Sequence, residues 1–440
     1  MEQYLARDAL LPDGWAKDVL ICVEDGDIVA VERGASGPQP LAGPVLPGMA
    51  NLHSHAFQRA MAGLTEVRGS PADDFWSWRE LMYRFVERLT PDQAQVIAHY
   101  LYIEMLRHGY TAVAEFHYVH RPDGMLQAHL DAARDAGIAI TLMPSVYRWS
   151  GFGERPLQER QRPFERDADS VLKAYAGLQA RATPDVLAGV APHSLRAVDP
   201  KALRHLVDGL PQETPIHIHA AEQTREVDEC IAALGARPVQ WLIDNLPVDR
   251  RWCIVHATHL AQEEIEALAK SGAVAGLCPT TEGNLGDGIF PLLAYRAAGG
   301  CYGIGGDSHV SRNPAEELRA LEYLQRVSVR KRNLVTTEKI ASVGTALWLE
   351  AAAGGGQALG RRMDALAPGM RADLVVLDGE HPDLAARSAD ALADALVFSG
   401  STDLVRDVMV GGRWVVQQKH HAAEEASAAR YREALKLLLA

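Results

Sequence analysis

Histidines and carboxylates follow several apolar segments of this sequence, and their spacing indicates a metal site. His53 and His55 come directly after "PVLPGMANL" and are separated by Ser54 alone. Side chains two residues apart on a strand leave the same face, so both imidazoles can bind one ion. Taken alone, the motif also fits two polar residues that flank Ser54 by coincidence.

Later apolar segments end in residues of the same kinds. In chain order these residues are His193, His219, Glu222, His256 and Asp307. When His219 and Asp307 are added to the pair His53 and His55, the four side chains offer nitrogen and oxygen donors for one metal. Such a set suits zinc with water at an open position, and iron accepts the same ligands. His217 would point inward one layer deeper than His219, and we interpret it as structural.

The segments that carry these residues alternate with helical patterns. Thr90 and Pro91 begin a helix whose apolar residues recur every four positions, and Gly109 ends it before the apolar run "YTAVAEFHY". About eight such helix-to-strand units predict a parallel (β/α)8 barrel, with the polar residues at the carboxyl ends of its strands. A doubly wound open sheet is the alternative. It would need a glycine-rich phosphate turn after the first strand, and the sequence has none there.

Both ends of the chain have the pattern of short strands and turns. "DVLICVEDGDIVAVERG" contains an Asp-Gly turn, and "PGMRADLVVLDGE" and "VRDVMVGGRWVVQQ" repeat the pattern near the other end. We expect both termini to build one small β-sandwich domain. The expected divisions are 1–47 and 361–420 for this domain, 48–360 for the barrel and 421–440 for a C-terminal helix. That amphipathic helix would pack on its own barrel or in a dimer interface.

The composition narrows the classes of partner. The 440 residues include 44 Lys and Arg against 57 Asp and Glu, and the formal charge of -13 is spread along the chain. This balance argues against nucleic acid and anionic membranes as partners. No segment approaches the length of a membrane span and the first residues lack a leader pattern, so we expect a cytoplasmic location. The five scattered cysteines indicate neither a disulfide framework nor a zinc knuckle.

Four strings that contain the candidate ligands resemble the amidohydrolase superfamily. "HSH", "HIHAAE", "VHATH" and "GIGGDSH" are similar to its metal-dependent deaminases, and "GMRADLVVLD" resembles a strand of its small β-sandwich. The fourth barrel strand would end in "VAPHSLRA", without the lysine that bridges two metals in the dinuclear branch. The resemblance therefore implies one metal, and a catalytic role for His256.

Longer strings resemble the N-formimino-L-glutamate deiminases within that superfamily. These strings are "HSHAFQRAMAGLTE", "DDFWSWRELMY", "EFHYVH", "APHSLRAV" and "HAAEQTREV". The resemblance implies a small dicarboxylate amidine as substrate, a homodimer, and a substrate-binding set of Gln58, Arg79, Tyr118, His193 and Arg196. The two arginines suit a substrate with two carboxylates, because guanidinium groups form paired charge-assisted hydrogen bonds.

The same resemblance implies a mechanism. The metal would activate a water, Asp307 would take its proton, and the water oxygen would attack the formimino carbon. Glu222 would protonate the departing nitrogen, and His256 would hold the water and stabilise the tetrahedral intermediate. The segment "DDFWSWRELMYRF" is too long for a simple connector. We interpret it as a lid that carries Arg79 over the site, or as a surface helix whose Trp76 and Trp78 pack on the barrel.

Other functions remain open from the sequence alone. Another deaminase of this type could act on a guanine, cytosine or adenosine-type base, or on N-formimino-L-aspartate. A non-catalytic scaffold that retains the barrel is a third possibility. The presence of the whole metal and catalytic set argues against that third reading.

Overall fold

Strands and helices alternate along the computed structural model, which describes residues 1–38, 40–67 and 75–440, except for the side chains of residues 75–77. The described strands are β1 (Glu2–Leu11), β2 (Gly14–Glu24), β3 (Asp27–Glu32), β4 (Val45–Pro47), β5 (Met49–Ser54), β6 (Tyr110–His117), β7 (Ala139–Val146), β8 (Val186–Ala188), β9 (Ala191–Pro192), β10 (Ile216–Ala220), β11 (Trp252–His256), β12 (Val274–Leu277), β13 (Cys301–Ile304), β14 (Leu374–Leu377), β15 (Val405–Val410) and β16 (Arg413–Val416). The described α-helices are α1 (Phe75–Val86), α2 (Pro91–Arg107), α3 (Met125–Ala136), α4 (Ala168–Gln179), α5 (Pro200–Asp208), α6 (Thr224–Leu234), α7 (Pro238–Asn245), α8 (Gln262–Ser271), α9 (Pro279–Leu285), α10 (Leu292–Ala297), α11 (Pro314–Val329), α12 (Val343–Leu359), α13 (Asp390–Phe398) and α14 (Glu424–Leu439). Short 3-10 helices cover Ala56–Met61, Glu159–Phe164 and Pro382–Leu384.

Parallel strands close into a barrel. In one half, β5, β6, β7 and the pair β8 and β9 lie side by side, and β10 to β13 form the other half. Parallel bridges of Ser54 with Asp307 and of Val190 with Ile216 join the halves at both seams. Every residue of β5, β6 and β7 is buried, as expected for strands covered on both faces. The predicted (β/α)8 fold is confirmed, and the open-sheet alternative is wrong.

Local sequence explains where a helix-to-strand unit begins and ends. The Thr90 hydroxyl accepts the Gln93 N–H, the Gln93 side chain accepts the Thr90 N–H, and Pro91 occupies the first helical position of α2. Gly109 adopts φ +100°, a left-handed conformation that turns the chain from α2 into β6. The strand and its carboxyl end are therefore positioned by signals that lie close together in the chain.

Strands from both ends of the chain build the small β domain. Their sheet has the order β16-β15-β14-β4-β1-β2-β3, so β4 lies between the C-terminal and the N-terminal strands. β4 leads through Gly48 into the first barrel strand, and the Trp348 indole N–H donates to the Pro47 carbonyl at 3.0 Å. The domain built from both termini is confirmed, and the residue boundaries given above stay predictions.

The C-terminal helix α14 packs on α2 of its own barrel. The rings of Tyr100 and Tyr431 stack with their centroids 4.2 Å apart, and His99 Nδ1 lies 2.9 Å from Ser427 Oγ. Of the two alternatives, its own barrel or a dimer interface, α14 thus packs on its own barrel. The homodimer stays a prediction. Among the described residues, no helix is long and apolar enough to cross a membrane.

Consecutive glycines of α12 let this helix contact the barrel strands closely. A Cβ at Gly354 would collide with the backbone carbonyl of Tyr302 in β13. We expect Gly354→Ala to lower the free energy of unfolding by about 1–3 kcal/mol, because the strand backbone must move to make room. The midpoint of thermal unfolding measures this change.

Gly177 provides a matched control in a helix. It is exposed in α4, and open space surrounds the position of an added Cβ. Gly177→Ala restricts the unfolded chain, so its unfolding midpoint should equal or exceed that of the unmodified protein. Equal stability of the Gly354→Ala protein would contradict the close packing of α12 on β13.

Candidate active site

Four predicted ligands converge at the carboxyl ends of the barrel strands. His53 and His55 lie on or directly after β5, His219 lies on β10, and Asp307 follows β13. The His53 Nε2 and His55 Nε2 atoms are 3.3 and 3.4 Å from Asp307 Oδ1. His219 Nε2 is 3.1 Å from His53 Nε2. Residues up to 254 positions apart in the chain thus point their donor atoms at one small region.

Backbone hydrogen bonds orient two of these imidazoles. The Nδ1–H of His55 donates to the Phe116 carbonyl, and the Nδ1–H of His219 donates to the His193 carbonyl, both at 2.9 Å. Each ring therefore directs the lone pair of its Nε2 at the centre. Burial lowers the pKa of His55 to about 3 and lowers the pKa values of His53 and His219 well below the ordinary value. The rings are neutral, as metal ligands must be.

The donor set fits a divalent metal. Lone pairs of unprotonated nitrogens repel each other at the separations found here unless a proton or a cation lies between them. Three imidazole nitrogens and one carboxylate oxygen are a set that zinc and iron accept. His53 Nδ1 has no hydrogen-bond partner among the described residues. The polar contacts of the His53 ring are therefore those that Nε2 makes with His219 and Asp307.

Left-handed backbone conformations occur where several strands end. Among residues other than glycine, Ala221 has φ +54°, His256 has φ +66° and Asp307 has φ +47°. Such conformations are uncommon and tend to gather at functional sites. They turn the chain sharply after the strand, so that His256 and Asp307 can direct their side chains into the barrel mouth.

The predicted acid–base residues form a chain of contacts beside the ligands. His256 Nε2 is 3.7 Å from Glu222 Oε1, and His256 Nδ1 is 3.3 Å from Glu282 Oε1. Burial raises the pKa of Glu222 to about 7, against the positive charges of His256 and Arg196. Burial also opposes a charge on His256, but the carboxylates of Glu222 and Glu282 outweigh it and raise the pKa of His256 to about 10. Near neutral pH the pair can therefore both hold and donate protons.

Glu282 is a neighbour of the site that sequence analysis missed. Its Oε1 accepts the backbone N–H of Cys278 at 2.9 Å, which fixes the carboxylate behind the His256 ring. Glu282 lies on α9, directly after the seventh barrel strand. The sequence signal that identifies Glu282 is an acidic residue placed shortly after the seventh barrel strand.

A cavity opens onto the predicted ligands His55, His219 and Asp307. The predicted residues that line it are His55, Gln58, Arg79, Tyr118, His193, Arg196, His219, Glu222, His256 and Asp307. His53 lies behind this wall and is fully buried. The Gln58 side-chain N–H donates to Tyr118 Oη at 2.8 Å, so these two residues form one polar unit. The structure brings the predicted substrate set and the predicted metal set to the same chamber.

Helix α1 forms one wall of the cavity. Trp78, Arg79, Met82 and Tyr83 line it, as residues on one side of a helix do. The Arg79 guanidinium donates from Nε to Tyr83 Oη and lies 5.2 Å from the centre of the Tyr83 ring. This position agrees with a lid that carries Arg79. Residues 68–74 and the Trp76 side chain lie outside the described part of the chain.

Aromatic residues form the adjoining wall. Tyr147 follows β7 and Phe164 belongs to the 3-10 helix Glu159–Phe164, an insertion before α4. The Phe164 ring contacts the Tyr147 ring and the Tyr83 ring, with centroids 5.6 Å apart in each case. Sequence analysis missed Tyr83, Tyr147 and Phe164, because aromatic residues in insertions carry no signal that distinguishes them from ordinary packing residues.

Comparison with known proteins agrees with this arrangement. Residues 45–415 match the model of the amidohydrolase family. The chain belongs to that family. Residues 1–40 match the model described as the formimidoylglutamate deiminase HutF N-terminal domain.

Relatives of this amidohydrolase are found among both sequences and structures. The chain is 51% identical to formimidoylglutamate deiminase of Pseudomonas aeruginosa, with 100% of both chains covered. It is 29% identical to 8-oxoguanine deaminase of the same organism, over 96% of this chain and 95% of that one. A crystal structure of an amidohydrolase from Brucella melitensis aligns with a TM-score of 0.95 at 45% identity over 100% of both chains. Atrazine chlorohydrolase TrzN of Arthrobacter aurescens, complexed with zinc, has a TM-score of 0.85 at 22% identity over 99% of this chain and 100% of that one, and shows the fold alone.

Metal content tests the distinction between the two histidines of β10. His219 presents Nε2 to the site, whereas His217 Nε2 donates to the Ala358 carbonyl at 2.9 Å. We expect His219→Asn to lose most of its bound divalent metal after gel filtration, because one ligand is removed. Elemental analysis of the purified protein measures this loss.

His217→Asn is the control on the same strand. It removes an equally buried imidazole and should lower the unfolding midpoint while the protein retains its metal. Full metal content in His219→Asn, or equal loss in both variants, would contradict the assignment of His219 as a ligand.

Proposed function

We propose that this amidohydrolase deiminates N-formimino-L-glutamate to N-formyl-L-glutamate and ammonia, a step of histidine degradation, with one bound zinc ion. The observation that carries the proposal is that Arg79 and Arg196 line the same cavity as the metal-ligand set. The full-length similarity to formimidoylglutamate deiminase of Pseudomonas aeruginosa supports it. Each part of the substrate then has a partner in the chamber.

The two arginines account for the two ends of the substrate. Each guanidinium can bind a carboxylate with paired charge-assisted hydrogen bonds. Gln58, Tyr118 and His193 add directional hydrogen bonds along the same wall. A dicarboxylate offers an acceptor group to each guanidinium, whereas a neutral heterocycle offers none, so the cavity favours a dicarboxylate over the bases on which more distant relatives act.

One metal accounts for the ligands present. The fourth barrel strand, formed by β8 and β9, ends at Pro192 and is followed by His193. Among the described residues, no lysine lines the cavity. A bridging carbamate of the dinuclear type therefore has no source. Zinc is proposed over iron because structures with this fold, including TrzN and an adenosine deaminase from Xanthomonas campestris, have zinc bound.

The protein groups move protons around the reacting carbon. The metal, when bound, supplies a water activated for attack on the formimino carbon. The Asp307 carboxylate accepts a proton from this water, and Glu222 donates one to the nitrogen that leaves as ammonia. The protonated His256 Nε2 faces the growing negative charge on oxygen and stabilises it. The C–N bond breaks as the C=O bond of the formyl product forms, and the hydroxyl proton of the intermediate passes to the Glu222 carboxylate, which restores its acid form.

Glu222→Gln tests the general acid. We expect the turnover number to fall by about 100-fold or more, because the amide cannot donate the required proton. Metal content and the unfolding midpoint should stay near those of the unmodified protein. Ammonia release from N-formimino-L-glutamate measures the turnover.

The pH profile separates this role from a structural one. Because burial raises the pKa of Glu222 to about 7, the acid form is present below this pH and is lost above it. The turnover number should therefore fall as the pH rises through this region, and the residual activity of Glu222→Gln should lack this limb. Glu317→Gln is the control, since burial raises the pKa of Glu317 to about 8 while its carboxylate bonds Thr280 outside the cavity. Equal effects of both variants would remove Glu222 from the mechanism.

Arg196→Met tests carboxylate binding. We expect the Michaelis constant to rise by about tenfold or more with a smaller change in turnover, because a hydrogen-bonded charge pair acts in the ground state and the transition state alike. Steady-state kinetics with N-formimino-L-glutamate measure both constants. Arg204→Met, which changes an exposed arginine of α5, is the control. A loss of turnover at an unchanged Michaelis constant would contradict the role of Arg196 in binding.

A further inference from the structure

A buried amide joins two walls of the substrate cavity. The Gln161 side chain is 1% exposed and lies in the 3-10 helix Glu159–Phe164. Its Nε2 atom is 3.1 Å from Tyr83 Oη and 3.1 Å from Tyr147 Oη. Its Oε1 atom is 3.0 Å from the backbone nitrogen of Gln158. The two contacts with the tyrosines are buried, and the contact with Gln158 is partly buried.

Hydrogen-bond chemistry fixes the direction of every bond in this network. A backbone N–H can only donate, so the oxygen of the Gln161 amide faces Gln158. The NH₂ group of Gln161 then faces Tyr83 and Tyr147 and donates one hydrogen to each phenol oxygen. Both phenols are acceptors in these bonds, and neither uses its own proton there.

The phenol protons are therefore left for the cavity. Tyr83 Oη also accepts from the Arg79 Nε–H, and no described residue accepts a proton from Tyr147. Both tyrosines line the chamber, and the Tyr147 ring stands edge-on to His193 with centroids 4.7 Å apart. Two O–H donors beside the cation of Arg79 make a site for an anionic acceptor.

The segment that carries Gln161 is anchored to α1. Arg160 Nη1 lies 3.2 Å from Oε2 of Glu80, an exposed residue of α1. Arg160 Nε lies 3.4 Å from Oε1 of Glu87, which directly follows α1. On the inner side, the Phe164 ring packs against Tyr83 and Tyr147. The donors are thus held in place before a ligand enters, which lowers the entropy lost on binding.

We propose that Tyr147, together with Tyr83, donates its hydroxyl proton to the substrate carboxylate that pairs with Arg79, and that Gln161 is the positioning residue that directs both protons into the cavity. This inference rests on the proposed function, because it assumes a dicarboxylate substrate. It assigns substrate selection to residues outside the strand ends that hold the metal set.

Tyr147→Phe is the first test. Losing one O–H donor to a carboxylate should raise the Michaelis constant for N-formimino-L-glutamate by about tenfold and leave the turnover number within about threefold. Tyr175→Phe is the matched control, because it removes a buried hydroxyl that bonds Thr214 at 2.8 Å outside the cavity. Thermal unfolding midpoints of both variants report any general loss of stability.

Two truncated substrates identify the carboxylate. One analogue lacks the α-carboxylate and the other lacks the side-chain carboxylate, and both keep the formimino group. The penalty of Tyr147→Phe should vanish with the analogue that lacks the partner of Tyr147 and persist with the other. A penalty that persists with both analogues would overturn the assignment to a carboxylate.

Gln161→Glu reverses the polarity of the network at nearly constant shape. A carboxylate at this position accepts the phenol protons, so they no longer point into the cavity. The Michaelis constant should rise by at least as much as in Tyr147→Phe. The rise should be smaller when Tyr147 is already phenylalanine, since the proton in question is gone. Equal rises in both backgrounds would overturn the positioning role.

The failure of this inference differs from the failure of the proposed function. Binding of N-formyl-L-glutamate to the metal-loaded enzyme, measured by calorimetry, provides a readout that does not depend on turnover. If the unmodified enzyme neither binds this product nor releases ammonia from N-formimino-L-glutamate, the proposed function fails and the inference falls with it. If the unmodified enzyme does both and Tyr147→Phe does both equally well, only the inference is overturned.

Discussion

Hydrogen bonds between the first barrel strand and the loop after the last one are the interaction on which the site depends. The His55 N–H donates to the Asp307 carbonyl at 3.0 Å, and the Asp307 N–H donates to the His53 carbonyl at 2.9 Å. These bonds close one seam of the barrel and bring the Asp307 carboxylate to the imidazoles of β5. Asp307 adopts a left-handed conformation to make them, at a cost of about 1–3 kcal/mol that the closed barrel must offset. The same bonds therefore close this seam and place three of the candidate ligands together.

Burial then gives similar side chains different chemical states. The ligand histidines lie among other imidazoles and backbone carbonyls, so desolvation keeps them neutral and able to bind a metal. His256 lies between the carboxylates of Glu222 and Glu282, so it holds its proton in the same low-dielectric surroundings. Glu222 titrates near neutrality because burial and the charge of His256 act in opposite directions. All four groups other than Glu222 are histidines, so the carboxylates next to His256, and not the residue type, give it a protonation state different from that of the candidate ligands.

Part of the proposed substrate recognition comes from segments outside the strand ends. The strand ends carry the proposed metal ligands and the proposed acid–base pair, which the barrel holds rigidly. Helix α1 supplies Arg79 and Tyr83, and the 3-10 helix Glu159–Phe164 supplies Phe164 and the Gln161 amide that bonds Tyr83. These insertions can change without disturbing the strands, which is how one barrel serves enzymes with different substrates.

The sequence by itself determined the barrel, the β domain built from both termini and the position of the candidate ligands at the strand ends. Those features rest on signals that are local in the chain: apolar periodicity, helix caps such as Thr90, and polar residues placed where a strand stops. Only the tertiary structure decided which further side chains face the substrate. Gln161 lies 14 residues from Tyr147 and 78 residues from Tyr83 along the chain. Glu282 lies 26 residues from His256, whose ring it contacts. Their roles follow from hydrogen-bond directions and burial, which exist only once the walls of the cavity have come together.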